Sequence, residues 1–330
     1  MQDNYNKDPK RNQMELLSDK DKIGKDRPWK EKKVKTLVLA ESYERLGMKK
    51  AYRVRDCGSF LEFKRYTNGT LKLNGANFCK VRLCPMCSWR RELKIFAQTS
   101  KVMDKALEMR DYRFIFLTLT CKNVEGVELS GTLDKLFHAF KKLSERKVFK
   151  NAVKGWFRAL EVTHNLDEDS KDYDTYHPHF HIIIMVNKSY FNKPELYISQ
   201  ERWTNLWKDS LQVEYTPIVD VRAFKTRTKK QVSKSIAETA KYTVKDNDYI
   251  LDGNEEMTDS AVMVLDKALA NRRLVAFGGQ LKRIHKELNL DDAEDGNLIN
   301  TGIDEELRED VDYVLEHYQW HIGYNQYFKK

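Results

Sequence analysis

The sequence predicts an α+β protein: an antiparallel sheet with helices packed on one face, preceded by a region rich in cysteine. Two observations predict it. Between residues 111 and 250 strand and helix signals follow in the order β-α-β-β-α-β-α, and Cys57, Cys79, Cys84 and Cys87 fall close together upstream. The 330 residues are 41% hydrophobic with only 14 Gly and 6 Pro, enough apolar content for a packed core and too little Gly and Pro for a collagenous or low-complexity chain. No run approaches the roughly 18 apolar residues of a membrane span, and the opening MQDNYNKDPKRNQ is polar where a secretory signal is hydrophobic. A soluble, cytoplasmic chain without a membrane partner is expected.

Residues 1–35 read as a polar tail of mixed charge without periodicity. Thr36–Arg45 reads as a short helix, and 51–73 alternates polar with apolar residues around Asn68-Gly69, a hairpin signal. A long helix is expected over Ser88–Arg110, where Trp89, Leu93, Phe96, Met103 and Leu107 recur at helical spacing. The β-branched, apolar run Arg113–Cys121 is a buried strand, Thr132–Glu145 an amphipathic helix, Gly155–Thr163 a second strand and 165–174 an acidic loop. A third strand spans His177–Val186, a helix Ser199–Val213 with Trp203 and Trp207 in its packing stripe, and a fourth strand Pro217–Phe224. Helices follow over Thr228–Lys245 and Ser260–Ala276, and Phe277-Gly278-Gly279 leads into 280–288. This element order is similar to the ferredoxin and RNA-recognition folds. The resulting organisation is a tail (1–35), a basic cysteine-rich region (36–110), the sheet domain (111–250), a helical extension (251–290) and an acidic C-terminal tail (291–330).

Charge is distributed unevenly. The net +9 conceals a C-terminal stretch, 291–330, with 3 basic and 11 acidic side chains, so the remainder is strongly positive. Residues 51–100 hold 10 basic and 3 acidic side chains, and 225–234 (KTRTKKQVSK) hold five basic and no acidic ones. Such patches suit a phosphate backbone, which makes Lys225, Arg227, Lys229 and Lys230 candidate DNA contacts.

Three constellations carry chemistry. His177-Pro-His179-Phe-His181 opens an apolar strand, and because strand side chains alternate, the histidines share one face while Phe180 enters the core. Two imidazoles make half of a divalent-metal site. Glu161 is the third ligand if its strand pairs with this one as a hairpin, and His177 competes for that position. One carboxylate plus imidazoles with open positions fits Mg²⁺ or Mn²⁺ acting on a phosphate oxygen, Mn²⁺ better matching the nitrogens.

The second constellation is Glu238-x-x-Lys241-Tyr242-x-x-Lys245, four residues in one helical stripe with Val232, Ile236, Ala240 and Val244 on the other side. Tyrosine is a poor nucleophile at its ordinary pKa near 10. A metal-polarised phosphodiester and adjacent lysines make phenolate attack feasible, and Glu238 could activate water or the tyrosine.

In the third, Cys84-Pro-Met-Cys87 presents two thiolates to one tetrahedral metal, and Cys57 and Cys79 complete a Cys₄ set with no open position, hence a structural zinc. Arg90 and Arg91 follow directly and would place cations for DNA beside it. Cys121 reads as a buried thiol, His164 as a surface residue and Gly278-Gly279 as a loop entering a helix.

Taken in order, Phe114-Ile-Phe-Leu-Thr-Leu-Thr120, His177-Pro-His-Phe-His-Ile-Ile-Ile184 and Glu238-x-x-x-Tyr242-x-x-Lys245 resemble the three motifs of the HUH endonucleases. With the cysteines, they are most similar to the replication initiators of small rolling-circle plasmids of Gram-positive bacteria, over about residues 50–290. The resemblance implies that Tyr242 is the nicking nucleophile, that His179 and His181 bind the metal, and that Glu238 activates the water that ends replication. Tyr249 is a second tyrosine nearby and the reserve nucleophile. The resemblance implies plasmid origin DNA, duplex and single-stranded, as substrate and a host helicase and DNA polymerase as partners; an oligomer is left open. A mobilisation relaxase or transposase of the same class is one rival, and a non-catalytic, zinc-stabilised DNA-binding regulator is the other.

Overall fold

The computed structural model describes residues 15–224, 236, 244–303 and 312–330. Helix α1 spans Trp29–Arg45 and so begins seven residues before the expected start. Its first turns are hidden from hydropathy because their buried residues are polar or amphipathic. Trp29 donates its indole N–H to Asp19 at 2.7 Å, and the ammonium of the buried Lys33 donates to the carbonyls of Arg55 and Cys57, both at 2.8 Å. Helix α2 (Ala51–Asp56) replaces the first part of the expected alternation. The hairpin of β1 (Phe60–Tyr66) and β2 (Leu71–Ala76) follows as expected, with Gly69 at φ +81°, a left-handed turn position that glycine occupies without strain. Helix α3 runs Pro85–Met109.

The sheet domain begins with β3 (Tyr112–Thr120), then helices α4 (Gly126–Glu145) and α5 (Lys147–Ala152), then β4 (Val153–Asn165) and β5 (Thr175–Asn187). Helix α6 (Gln200–Leu211), strand β6 (Val219–Ala223), helix α7 (Glu255–Leu269), strand β7 (Val275–Gly278) and helix α8 (Gly279–Glu287) complete it. These strands pair antiparallel throughout, in the order β6-β3-β5-β4-β7. Strand β5 is central, which explains its near-continuous apolar run: Ile182, Ile183, Ile184, Met185 and Val186 are fully buried across both faces. Helix α4 covers one face, with Phe137 and Phe140 packed on Phe180 at ring separations of 5.4 and 5.7 Å. Trp203 and Trp207 are core residues, the latter donating to the Thr120 carbonyl.

Three differences concern this region. The helix expected over 260–276 stops at Leu269, and Val275 to Gly278 form an edge strand on β4 instead. Gly278 is required there, since a Cβ would lie 2.1 Å from the Trp156 ring. Of the helix expected over 228–245, only Ile236, Val244 and Lys245 fall among the described residues, and Lys245 is extended (φ −72°, ψ 143°), so the helix does not reach it.

The C-terminal segment is not a free tail where it is described. Strands β8 (Tyr313–His321) and β9 (Gln326–Lys329) join the first hairpin in a second antiparallel sheet, order β2-β1-β8-β9. The acidic stretch before it wraps α3, and this overturns the DNA-binding role expected of Arg90 and Arg91. Both are 2% exposed. Arg90 donates to the carbonyls of Leu298 (2.9 Å) and Ile299 (2.7 Å), and Arg91 to those of Glu294 (2.9 Å), Val81 (3.2 Å) and Lys80 (2.6 Å). These donors are turned inward to backbone carbonyls, and the Arg90 guanidinium lies over the Trp29 and Trp89 rings, so neither group is presented to solvent. No helix among the described residues is long and apolar enough to cross a membrane.

Candidate active site and metal centres

Antiparallel pairing of β4 with β5 sets Glu161 directly opposite His179 and Ala159 opposite His181. On the other side β3 sets Thr120 opposite His179 and Thr118 opposite His181. Paired residues share a face, so one carboxylate and two imidazoles converge on the side of the sheet away from α4. Glu161 Oε2 lies 2.8 Å from His181 Nε2 and 3.5 Å from His179 Nε2, and the two Nε2 atoms are 3.1 Å apart. Ligands about 2.1 Å from one ion and at right angles to each other stand about 3.0 Å apart, so this triangle has the edge lengths of a coordination shell.

Backbone and side chain orient both rings. His179 Nδ1 lies 3.1 Å from the His177 carbonyl and His181 Nδ1 3.3 Å from Thr118 Oγ1. A donor hydrogen on each Nδ1 leaves the Nε2 lone pair aimed at the shared point. Burial pushes the Glu161 carboxyl up, but hydrogen bonds and charge from His179 and His181 outweigh it and hold the group below the usual carboxylate range. His177 stands apart from the triangle: its Nε2 is 3.0 Å from the Cys121 carbonyl, and burial followed by the charge of His179 lowers its pKa.

Lys245 Nζ lies 3.5 Å from Glu161 Oε1, a site residue brought in from outside the sheet. Its placement rests on the turn 246–248, where Asp246 is bound by Lys32 (2.6 Å) and Lys35 (3.0 Å) of α1. Glu238, Lys241 and Tyr242, and the basic residues Lys225, Arg227, Lys229 and Lys230, lie outside the described residues. Tyr249 is buried and donates its hydroxyl to the Leu83 carbonyl, so it is unsuited to the role of reserve nucleophile. His164 is likewise no surface residue. It is buried, stacked on Tyr176, with Nδ1 3.0 Å from the Asp248 carbonyl and Nε2 2.8 Å from Asp174.

Two residues near the site had no assigned role in the sequence. Thr118 became visible only through the β3–β5 register, although a Thr-x-Thr at strand spacing was its signal. Asp248 has a carboxylate oxygen that is buried without a hydrogen-bond partner. Burial pushes its pKa up to about 6, opposed by the Lys245 charge and aided by that of Glu161.

The four cysteines also converge. Cys57 Sγ lies 3.5 Å from the Sγ atoms of Cys84 and Cys87, and Cys79 Sγ 3.7 Å from that of Cys87. Tetrahedral thiolates at about 2.3 Å from zinc stand about 3.8 Å apart, whereas a disulfide requires about 2.0 Å, so the donor set and spacing fit zinc. Backbone N–H groups of Cys79, Lys80 and Val81 point at the sulfurs of Cys57, Cys87 and Cys79 at 3.3 to 3.4 Å, the arrangement that stabilises thiolates. Lys80 reaches its position through a left-handed φ of +59°. Cys121 is separate and buried, its thiol pushed up to about 12 by burial.

Comparison with known proteins identifies the family. A family model described as "Replication protein" (Rep_1) matches residues 70–328. A "Protein rep" of Bacillus amyloliquefaciens is 43% identical over 344 aligned positions, covering 97% of this chain and 98% of that protein. A "Protein rep" of Streptococcus pneumoniae is 40% identical, covering 97% of each, and a "Replication protein" of Staphylococcus aureus is 38% identical over 68% of this chain and 94% of its own. No solved structure matches. Similarity of this degree over nearly the whole length of both chains makes the protein a member of the replication protein family.

Proposed function

We propose that this chain is a plasmid replication initiator that nicks one strand of its double-strand origin through a 5′-phosphotyrosyl intermediate and rejoins strands to end rolling-circle replication. The observation that carries the reading is the triangle of Glu161, His179 and His181 with Lys245 beside it, in a member of the replication protein family. A Mn²⁺ or Mg²⁺ ion held by those three residues would supply Lewis-acid polarisation of the scissile phosphate. Tyr242 Oη attacks phosphorus, the P–O3′ bond breaks, the phenolic proton passes to solvent or Glu238, and the departing O3′ takes a proton from solvent to become the 3′-OH that primes synthesis. Lys245, three positions beyond Tyr242 in sequence, offers a cation to the developing charge. After one round Glu238 takes a proton from water or from a second strand's attacking hydroxyl, so that no second tyrosine is needed. The Cys₄ site holds zinc as a structural ion, and the basic stretch 225–234 contacts origin DNA.

The test is a denaturation-resistant adduct between the protein and supercoiled origin plasmid, or an origin oligonucleotide, in Mn²⁺. The adduct is expected with wild type and absent with Tyr242→Phe. An adduct that persists in the variant overturns the nucleophile assignment. Origin binding by both proteins with no adduct, and no effect of Mn²⁺, overturns the enzyme and favours a zinc-stabilised DNA-binding regulator.

A further inference from the structure

The second sheet has one face built for packing and one that nothing among the described residues covers. Leu61, Phe63, Tyr318 and Trp320 point inward, with Phe63 edge-on to Trp29 at 5.6 Å. On the outer face, register places Phe60 opposite Gln319 and Gln319 opposite Phe328, then Glu62 opposite His317, then Lys64 opposite both Leu315 and Lys72. Phe60 stacks on His317 at 5.7 Å with ring planes 25° apart. Tyr324, 61% exposed, packs on Phe328 at 5.6 Å. Lys64 sits over the Tyr313 ring at 4.4 Å. The acidic residue that strand register places on this face among the described residues, Glu62, is already engaged by His317 at 2.9 Å and by Asn74.

We propose that this outer face is a second nucleic-acid site, a platform on which unpaired DNA bases stack against Phe60, His317, Tyr324 and Phe328 while Lys64 and Lys72 bind phosphates. It rests on the reading of the chain as the initiator of rolling-circle replication, in which one strand is displaced, and would hold that strand away from the nicking face. Charge selects the occupant. A second copy docked about a two-fold axis would bring these lysines toward one another, whereas a phosphate backbone neutralises them. The rings select single strands over duplex, because only unpaired bases offer both faces for stacking and every base has one.

The experiment measures anisotropy of a labelled oligo-dT of about 20 nucleotides, which carries no nick site, against the full-length protein without added Mn²⁺. Phe60→Ala/Tyr324→Ala is expected to weaken binding by at least about tenfold, since each base–aromatic stack contributes roughly fivefold or more. Lys64→Gln/Lys72→Gln is expected to flatten the dependence of log K on log salt by about 0.7 for each phosphate that is no longer neutralised. An oligonucleotide carrying 5-iodo-deoxyuridine should photo-cross-link to peptides containing Phe60, His317 or Tyr324. Wild-type affinity and salt slope in both variants, or cross-links confined to other peptides, would overturn the proposal. Loss of self-association in the ring variant at unchanged DNA affinity would overturn it in favour of a second copy. Adduct formation on origin DNA is scored separately: unchanged adduct with unchanged dT binding sinks the platform alone, and weakened dT binding in a protein that never forms an adduct sinks the nicking reading alone.

Discussion

The Lys32 ammonium lies 2.6 Å from the Asp246 carboxylate, and this ion pair joins the cysteine module to the Glu161–His179–His181 face of the sheet. Helix α1, which carries Lys32, also carries Lys33 on the Cys57 carbonyl and Thr36 at 3.7 Å from Cys84 Sγ. Asp246 follows Lys245, whose ammonium reaches Glu161. Tyr249, three residues on, is bound to the Leu83 carbonyl beside Cys84. One short path of polar interactions therefore runs from the thiol cluster to the site.

Removal of the metal proposed for the four cysteines should act on both ends of that path. Cys84→Ser is expected to lose about one equivalent of zinc by elemental analysis, to lower Tm by more than about 5 °C, and to reduce adduct yield with Tyr242 intact. Full zinc content in the variant would remove the Cys₄ assignment.

Thr118 is expected to position His181 through Nδ1. Thr118→Val should weaken Mn²⁺ binding by about 10- to 100-fold, read as a higher Mn²⁺ requirement for adduct formation with little change at saturating metal. Glu161→Gln, which removes a charged ligand, should lower the rate even at saturating Mn²⁺. Identical metal titrations for Thr118→Val and wild type would deny the positioning role.

Arg91 is structural. Arg91→Ala removes a donor from the Glu294, Val81 and Lys80 carbonyls, of which Val81 keeps the Cys84 N–H, and is expected to cost about 2 kcal/mol or more in urea unfolding. The salt slope of DNA binding should stay that of wild type; a shallower slope would restore this residue to the DNA interface.

Asp248 should give the fold a pH signature. Its pKa, raised to about 6, exceeds the ordinary value near 4, so between those limits the folded state holds a proton that the unfolded chain has released, and stability falls as pH rises. Asp248→Asn is expected to match wild type near pH 4 and to exceed it above pH 6 by on the order of 2 kcal/mol. A stability difference that does not change between pH 4 and 8 would contradict this.

The sequence by itself determined the β5 histidines and their common face, and it narrowed their partner to Glu161 or His177; the structure placed Glu161 against them and His177 apart. The first part was legible because the β4–β5 hairpin is local: only residues 166–174 lie between Asn165 and Thr175, which pair, and alternation then fixes which side chains meet Glu161. The cysteines were legible for a similar reason, since a C-x-x-C turn and two nearby thiols leave few other arrangements. Tertiary structure decided what depends on residues distant in sequence. Thr118 reaches His181 across 63 residues, β8 reaches β1 across about 250, and Arg90 and, through Glu294, Arg91 find acceptors in a segment about 200 residues away. Charge counting registers that cations are present, but burial and hydrogen-bond geometry decide whether they face a carbonyl or a phosphate, and those are fixed only when the chain has folded.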